Sequence, residues 1–201
     1  MRKLKNKKWN ILIALIVGFN GGKMANSFFE EIFKLKTLLR KGWQVRDCYN
    51  EVGRAESDAE HIFSCAMLAL YIMEKEELKL NHEKVLKLLL VHELCEIDAG
   101  DHTPIEDIAS DEKFRIEYAG IQRLADDYDM DWMEELWLEF EEKKTPEARF
   151  AKMIDKLECV MQSKIYSITS NNKELFDEFY NNAKQLIAGY EKFIDEIKWE
   201  N

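Results

Sequence analysis

The sequence predicts an all-α fold, a single domain of six to eight helices, and three observations predict it. Apolar residues recur at three- and four-residue spacing in one segment after another. Helix-capping residues stand at the starts of those segments, among them Ser57 with Glu60 and Thr145 ahead of Pro146. No alternating apolar pattern of useful length occurs, and no glycine-rich phosphate loop. At 201 residues, 46% of them hydrophobic, the chain has apolar material for one ample core.

The elements follow in order. Phe28, Phe29, Ile32, Phe33, Leu35, Leu38 and Leu39 give a first helix, ended by Gly42 just before Trp43. Residues 44–57 read as a polar connector holding Arg46 and Arg54. The capping box Ser57-Asp58-Ala59-Glu60 launches a second helix. From Ile62 to Met73 it is apolar almost all round, which makes it central, and His61 lies in its first turn. Asn81 caps a third helix that runs through Val85 to about Asp98 and closes on Ala99-Gly100. Ser110 opens a helix through Phe114, Ile116, Ile121 and Leu124, and Asp131 precedes one carrying Trp132, Met133, Leu136, Trp137 and Phe140. Thr145-Pro146-Glu147 starts a helix with Phe150, Met153, Ile154, Leu157, Val160 and Met161, with Asp155 among them. A last helix carries the stripe Phe176, Phe179, Ala183, Ile187, Tyr190, Ile194 and Ile197.

Charge narrows the function classes. The chain carries 39 acids against 29 lysines and arginines, a net charge of −10, and the basic residues near its start make the remainder more acidic still. Such a body is a poor partner for a nucleic-acid polymer. A small anionic substrate fits if a metal or local arginines supply positive charge. Cys48, Cys65, Cys95 and Cys159 have no CxxC spacing and read as reduced thiols of a cytoplasmic protein. Residues 1–23 combine a basic start with a short apolar run, Ile11 to Phe19, too short to span a bilayer comfortably. The expectation is a leader-like or non-native extension, with the domain over 24–201, Met24 as the natural start and no membrane association; a membrane anchor is the alternative.

The chemistry concentrates in His92-Glu93-Leu94-Cys95-Glu96-Ile97-Asp98-Ala99-Gly100-Asp101, one imidazole and four carboxylates at the end of an apolar helix. Such groups are costly in a core unless they are paired or hold a metal. His61 on a second apolar helix and Asp155 on a third add ligand-type atoms. Two imidazoles and two carboxylates suit one divalent transition metal (Mn, Co, Ni, Zn or Fe) with positions left for water and a phosphate oxygen. With His82 at a polar helix start, four histidines in all are too few for a histidine-rich binuclear site.

The spacing of His61, His92-Glu93 and Asp155 resembles the HD-domain metal-dependent phosphohydrolases, and more closely the branch that includes 5′-deoxynucleotidases of the YfbR and HDDC2 type. The resemblance spans about residues 28 to 170. It rests also on Gly42-Trp43 with Arg46, on Glu56 to His61, on His92 to Pro104 and on Thr145 to Lys156. It implies that His61, His92, Glu93 and Asp155 are metal ligands. Glu96 falls on the acidic position that handles the attacking water, and Asp101 on a second catalytic or substrate-contacting carboxylate. Trp43 and Arg46 fall near the segment that holds the nucleotide, with Arg54 and His102 as further substrate contacts. The doublet that names the family is His-Asp; Glu93 replaces the aspartate here and implies a site of altered geometry or metal preference.

The expected activity is therefore metal-dependent hydrolysis of nucleoside 5′-monophosphates, with deoxynucleotides as the expected substrates. The alternatives are hydrolysis of pyrophosphorylated or triphosphate nucleotides, and a non-catalytic metal- or nucleotide-binding module. A homodimer is also expected, because the stripe from Phe176 to Ile197, with Trp132, Trp137 and Phe140, offers more apolar surface than a bundle of this length needs.

Overall fold

The computed structural model describes residues 26–49, 53–103, 106, 108–170 and 172–198. The expectations for residues 1–23 and for Met24 lie outside them, as does Pro104. Among the described residues the architecture is all-α, with six helices of ten residues or more and four shorter ones. In chain order they are α1 (Phe28–Lys34), α2 (Lys41–Gln44), α3 (Asp58–Lys75), α4 (His82–Val91), α5 (Glu96–Ala99), α6 (Ser110–Tyr128), α7 (Asp131–Glu142), α8 (Pro146–Thr169), α9 (Lys173–Ala183) and α10 (Glu191–Ile194). The sole β feature among them is an isolated antiparallel bridge between Leu39 and Ser57.

Helix α8 is the axis of the domain. Thr145 caps it by accepting from the Ala148 amide at 3.2 Å, and Pro146 takes the position where a missing N–H costs nothing. Helices α3, α4, α7 and α9 pack around it. The main core joins Cys65, Ala69 and Ile72 of α3, Val85, Leu88 and Leu89 of α4, and Ala151, Ile154 and Leu157 of α8. A second cluster links α6 and α7 through Ile121, Leu124, Met133 and Trp137.

Three boundaries differ from the sequence expectation. The first helix stops at Lys34, and the chain turns through the Leu39–Ser57 bridge before Gly42, which sits inside the short helix α2 rather than ending α1. The Arg40 amide donates to Glu56 O and the Asp58 amide to Leu38 O, so Arg40 is tied to the start of α3. The third helix breaks at His92. Leu89 O, which would accept the Glu93 amide in a continuing α-helix, lies 2.7 Å from His92 Nδ1. The next amides reach back three residues, Leu94 to Val91, Glu96 to Glu93 and Ile97 to Leu94, before α5 forms. The last stripe is not one helix: α9 ends at Ala183, and the chain turns through Gly189, at φ +90°, before α10.

Candidate metal centre and substrate cavity

Each chemical group is delivered by a different local device. The capping box is present, with Ser57 accepting from the Glu60 amide and Glu60 from the Ser57 amide. It sets the first turn of α3 and with it His61, which is wholly buried. The turn after α4 is tightened towards three residues per turn by its three-residue hydrogen bonds, so Glu93 and Glu96 lie one above the other instead of about a sixth of a turn apart. Close approach of α6 holds that turn: a Cβ on Gly120 would come within 2.6 Å of Cys95 O. Asp155 projects from the middle of α8.

These devices bring His61, His92, Glu93 and Asp155 together in one buried cluster, each offering a ligand atom within 4.8 Å of the others. His61 Nε2 lies 3.4 Å from Asp155 Oδ1 and 3.6 Å from Glu93 Oε1, and His92 Nε2 lies 3.4 Å from Glu93 Oε1. His92 Nε2 and Asp155 Oδ1 are buried without a hydrogen-bond partner. Two imidazole nitrogens and two carboxylates facing one point, with orphaned atoms among them, are a donor set a divalent cation would satisfy.

Arg40 is the residue that the sequence reading missed. Its Nη1 donates to Glu93 Oε1 at 2.7 Å and lies 3.8 Å from Asp58 Oδ1 and 3.9 Å from Glu96 Oε1. Burial pushes the Glu93 carboxyl up, but Arg40, His92 and His61 outweigh it and hold that group well below the usual carboxylate range. Glu96 goes the other way: burial and the neighbouring Glu93 raise it well above that range, against the opposing charge of Arg40. Asp58 has both oxygens buried without a hydrogen-bond partner, and burial with Glu93 beside it pushes its pKa up to about 7. The signal in the sequence was a single arginine two residues before Gly42-Trp43, indistinguishable there from any helix-end cation.

A cavity of about 580 Å³ opens over the cluster, a size suited to a small organic ligand. Trp43, Arg46, Glu96, Asp101 and His102 line it with His92, Glu93 and Asp155. Asp101 Oδ2 accepts from the Lys41 amide. Trp43 is fixed by its Nε1–H bond to Glu56 at 2.8 Å and stacks on Phe179 at 4.4 Å. The Arg46 guanidinium lies over the Phe179 ring at 5.2 Å and pairs with Glu178. His102 Nδ1 lies 3.5 Å from Glu106. Arg54 is not among the lining residues; it donates to the Glu60 carboxylate and to Ala55 O, supporting the capping box from outside.

The aromatic residues expected at a dimer face are placed differently. Trp137 and Phe140 are 1% exposed and form part of the cavity wall, where Phe140 sits 5.0 Å from His92. Ile187, Phe193 and Ile194 are buried in the main core, and α9 packs on α8. Trp132 alone of the named aromatics is largely exposed. The apolar excess therefore lies elsewhere: Phe63, Met67 and Tyr71, four residues apart on α3, form an exposed stripe.

Comparison with known proteins agrees with this architecture. The model of the HD domain family matches residues 32–193. The chain is 32% identical to a 5′-deoxynucleotidase HDDC2 of Xenopus laevis over 82% of this chain and 80% of that protein. It is 30% identical to a 5′-deoxynucleotidase of Schizosaccharomyces pombe, covering 76% of this chain and 77% of the relative. Among solved structures, a predicted metal-dependent phosphohydrolase from Magnetospirillum magnetotacticum superposes with a TM-score of 0.61 at 28% identity, over 85% of this chain and 91% of that one. With the family model covering most of the described domain and the buried two-histidine, two-carboxylate cluster at its centre, this chain belongs to the HD domain family.

Proposed function

We propose that this protein is a metal-dependent phosphohydrolase acting on nucleoside 5′-monophosphates, deoxynucleotides above all, with His61, His92, Glu93 and Asp155 as the ligands of one divalent metal. The observation that carries the reading is the convergence of those four buried groups beside a cavity that His92, Glu93 and Asp155 line together with Glu96 and Asp101. A divalent cation, when bound, supplies a Lewis acid for the phosphate and a water of lowered pKa. Glu96 Oε2 is buried and has no hydrogen-bond partner, so it is available to accept a proton from an attacking water. Burial and the neighbouring Glu93 raise its affinity for that proton. Asp101, held by the Lys41 amide, offers a second carboxylate to the substrate, and the Trp43–Phe179 pair with Arg46 gives the sugar and base an aromatic wall.

The cavity's cations favour a monophosphate over a polyphosphate. Each of its lysines and arginines already faces a carboxylate: Arg40 with Glu93, Arg46 with Glu178, Lys113 with Glu117, Lys152 with Glu141 and Lys156 with Asp155. A triphosphate tail would need several of those pairs broken at once, whereas one phosphate can be met by the metal. Phosphate release from a panel of nucleoside mono-, di- and triphosphates, each with Mn²⁺, Co²⁺, Ni²⁺ and Zn²⁺, tests the reading. Release from deoxynucleoside monophosphates is expected; release from triphosphates alone, or none with any metal, overturns it.

The same reading extends to assembly and location. We propose a homodimer whose helical, apolar interface is built on the Phe63–Met67–Tyr71 stripe of α3 and contributes no metal ligand across the two-fold. Four buried cysteines without disulfides support a reducing, cytoplasmic setting. No helix among the described residues is long and apolar enough to cross a membrane.

A further inference from the structure

Glu158 takes no part in the cavity, yet it is buried and meets the other side of the His61 ring. Its Oε2 lies 2.6 Å from His61 Nδ1, both groups being buried. The opposite ring nitrogen, Nε2, faces Asp155 Oδ1 and Glu93 Oε1. Asp155 and Glu158 are three residues apart on α8, so a single turn of that helix brackets the imidazole with a carboxylate at each nitrogen. A neutral imidazole carries its proton on one nitrogen and its lone pair on the other. A carboxylate at Nδ1 accepts the proton there and leaves the lone pair on Nε2.

We propose that Glu158 is a positioning residue: by accepting the Nδ1 proton of His61 it commits Nε2 of that ring to the divalent cation shared with His92, Glu93 and Asp155. The inference rests on the metal reading of those four residues. His92 achieves the same orientation by a different acceptor, with Nδ1 at 2.7 Å from the carbonyl of Leu89. Both imidazoles thus turn Nε2 inward, but only His61 is backed by a full negative charge, which raises the ring's basicity as a ligand. Glu158 is not itself a ligand of that cation. It lies on the far side of the ring, and a cation between Nδ1 and Glu158 would leave the buried, partnerless His92 Nε2 and Asp155 Oδ1 unsatisfied. Substituting the carboxylate should therefore weaken metal binding without touching a ligand or the substrate.

The test uses the full chain stripped of metal by chelation and titrated with Mn²⁺ and Zn²⁺. Glu158→Gln keeps the shape and an acceptor oxygen but loses the charge, and about tenfold weaker binding is expected; Glu158→Leu removes the acceptor, and about a hundredfold is expected. The unfolding midpoint of metal-free Glu158→Gln should stay near that of the unsubstituted protein, which a merely structural defect would not allow. In the zinc-loaded protein, long-range nitrogen–proton NMR should find His61 protonated at Nδ1 and bound through Nε2. Equal affinity in all three proteins, or a His61 protonated at Nε2, overturns the proposal while leaving the four-residue site intact. Failure of the unsubstituted protein to bind either metal overturns the site reading instead, and the proposal with it.

Discussion

Arg40 Nη1 sits 2.7 Å from Glu93 Oε1, and both side chains are largely shut off from solvent, so the guanidinium neutralises a carboxylate that also faces the two imidazoles. Removing one partner of a buried pair costs about 3–5 kcal/mol, because the other charge is left uncompensated. Arg40→Ala should therefore lower the stability of the metal-free protein by about that amount, and Mn²⁺ should restore part of it by supplying the missing positive charge. Thermal unfolding with and without metal measures both. An equal metal-induced shift in variant and parent would show that the two cations do not share Glu93.

His92→Ala and Asp155→Ala should each lose the metal and phosphate release together, because each removes one of four donors from a buried cluster. Elemental analysis after reconstitution reads the first and a phosphate assay the second. Glu93→Asp should remain folded and keep at least part of the activity: the shorter carboxylate gives up reach towards Arg40 but stays beside both histidines.

Glu96→Gln separates chemistry from binding. The amide keeps the volume of the buried side chain but cannot take a proton, so turnover should fall by roughly a hundredfold or more with metal content unchanged. Unchanged turnover would remove Glu96 from the reaction.

Gly120 should not tolerate even a methyl group. The Cβ of Gly120→Ala would press on the carbonyl of Cys95 at 2.6 Å, and backbone, unlike a flexible side chain, does not step aside. A loss of about 1–3 kcal/mol is expected from overpacking. Metal affinity should fall too, because the displaced turn carries Glu93. Denaturant melts and a metal titration of Gly120→Ala check both, and a variant that loses stability alone would mean the turn absorbs the shift elsewhere.

Glu56 gives the stability a pH dependence. Burial, with Glu158 nearby, pushes its pKa up to about 7 from an ordinary 4.5, although His61 and the Trp43 hydrogen bond pull against it. Between those two values the folded protein holds a proton that the unfolded chain releases, so the stability contributed at low pH is lost as pH rises through about 7. Glu56→Gln keeps an acceptor for Trp43 Nε1–H and removes this titration. The variant should gain on the parent by about 1–3 kcal/mol between pH 4.5 and 8. Part of the slope should persist, since Asp58 is also raised to about 7. A constant difference across that range would count against the buried titration.

Periodicity and caps determined the all-α class and most of the helix starts, because those are local effects: Ser57, Asn81 and Thr145 each satisfy an amide within their own next turn. The residue types of the buried cluster were legible for a related reason, since histidines and acids inside apolar runs must find partners there. Tertiary structure alone decided where the third helix breaks, through the contact of His92 Nδ1 with Leu89 O and the approach of Gly120 to Cys95. It likewise placed Arg40 over Glu93 and Glu158 behind His61, 53 and 97 residues apart in the chain. It moved Trp137 and Phe140 from an imagined outer face to the cavity wall. Such choices depend on which faces of separate helices meet, and an apolar stripe records only that it will be covered, not by what.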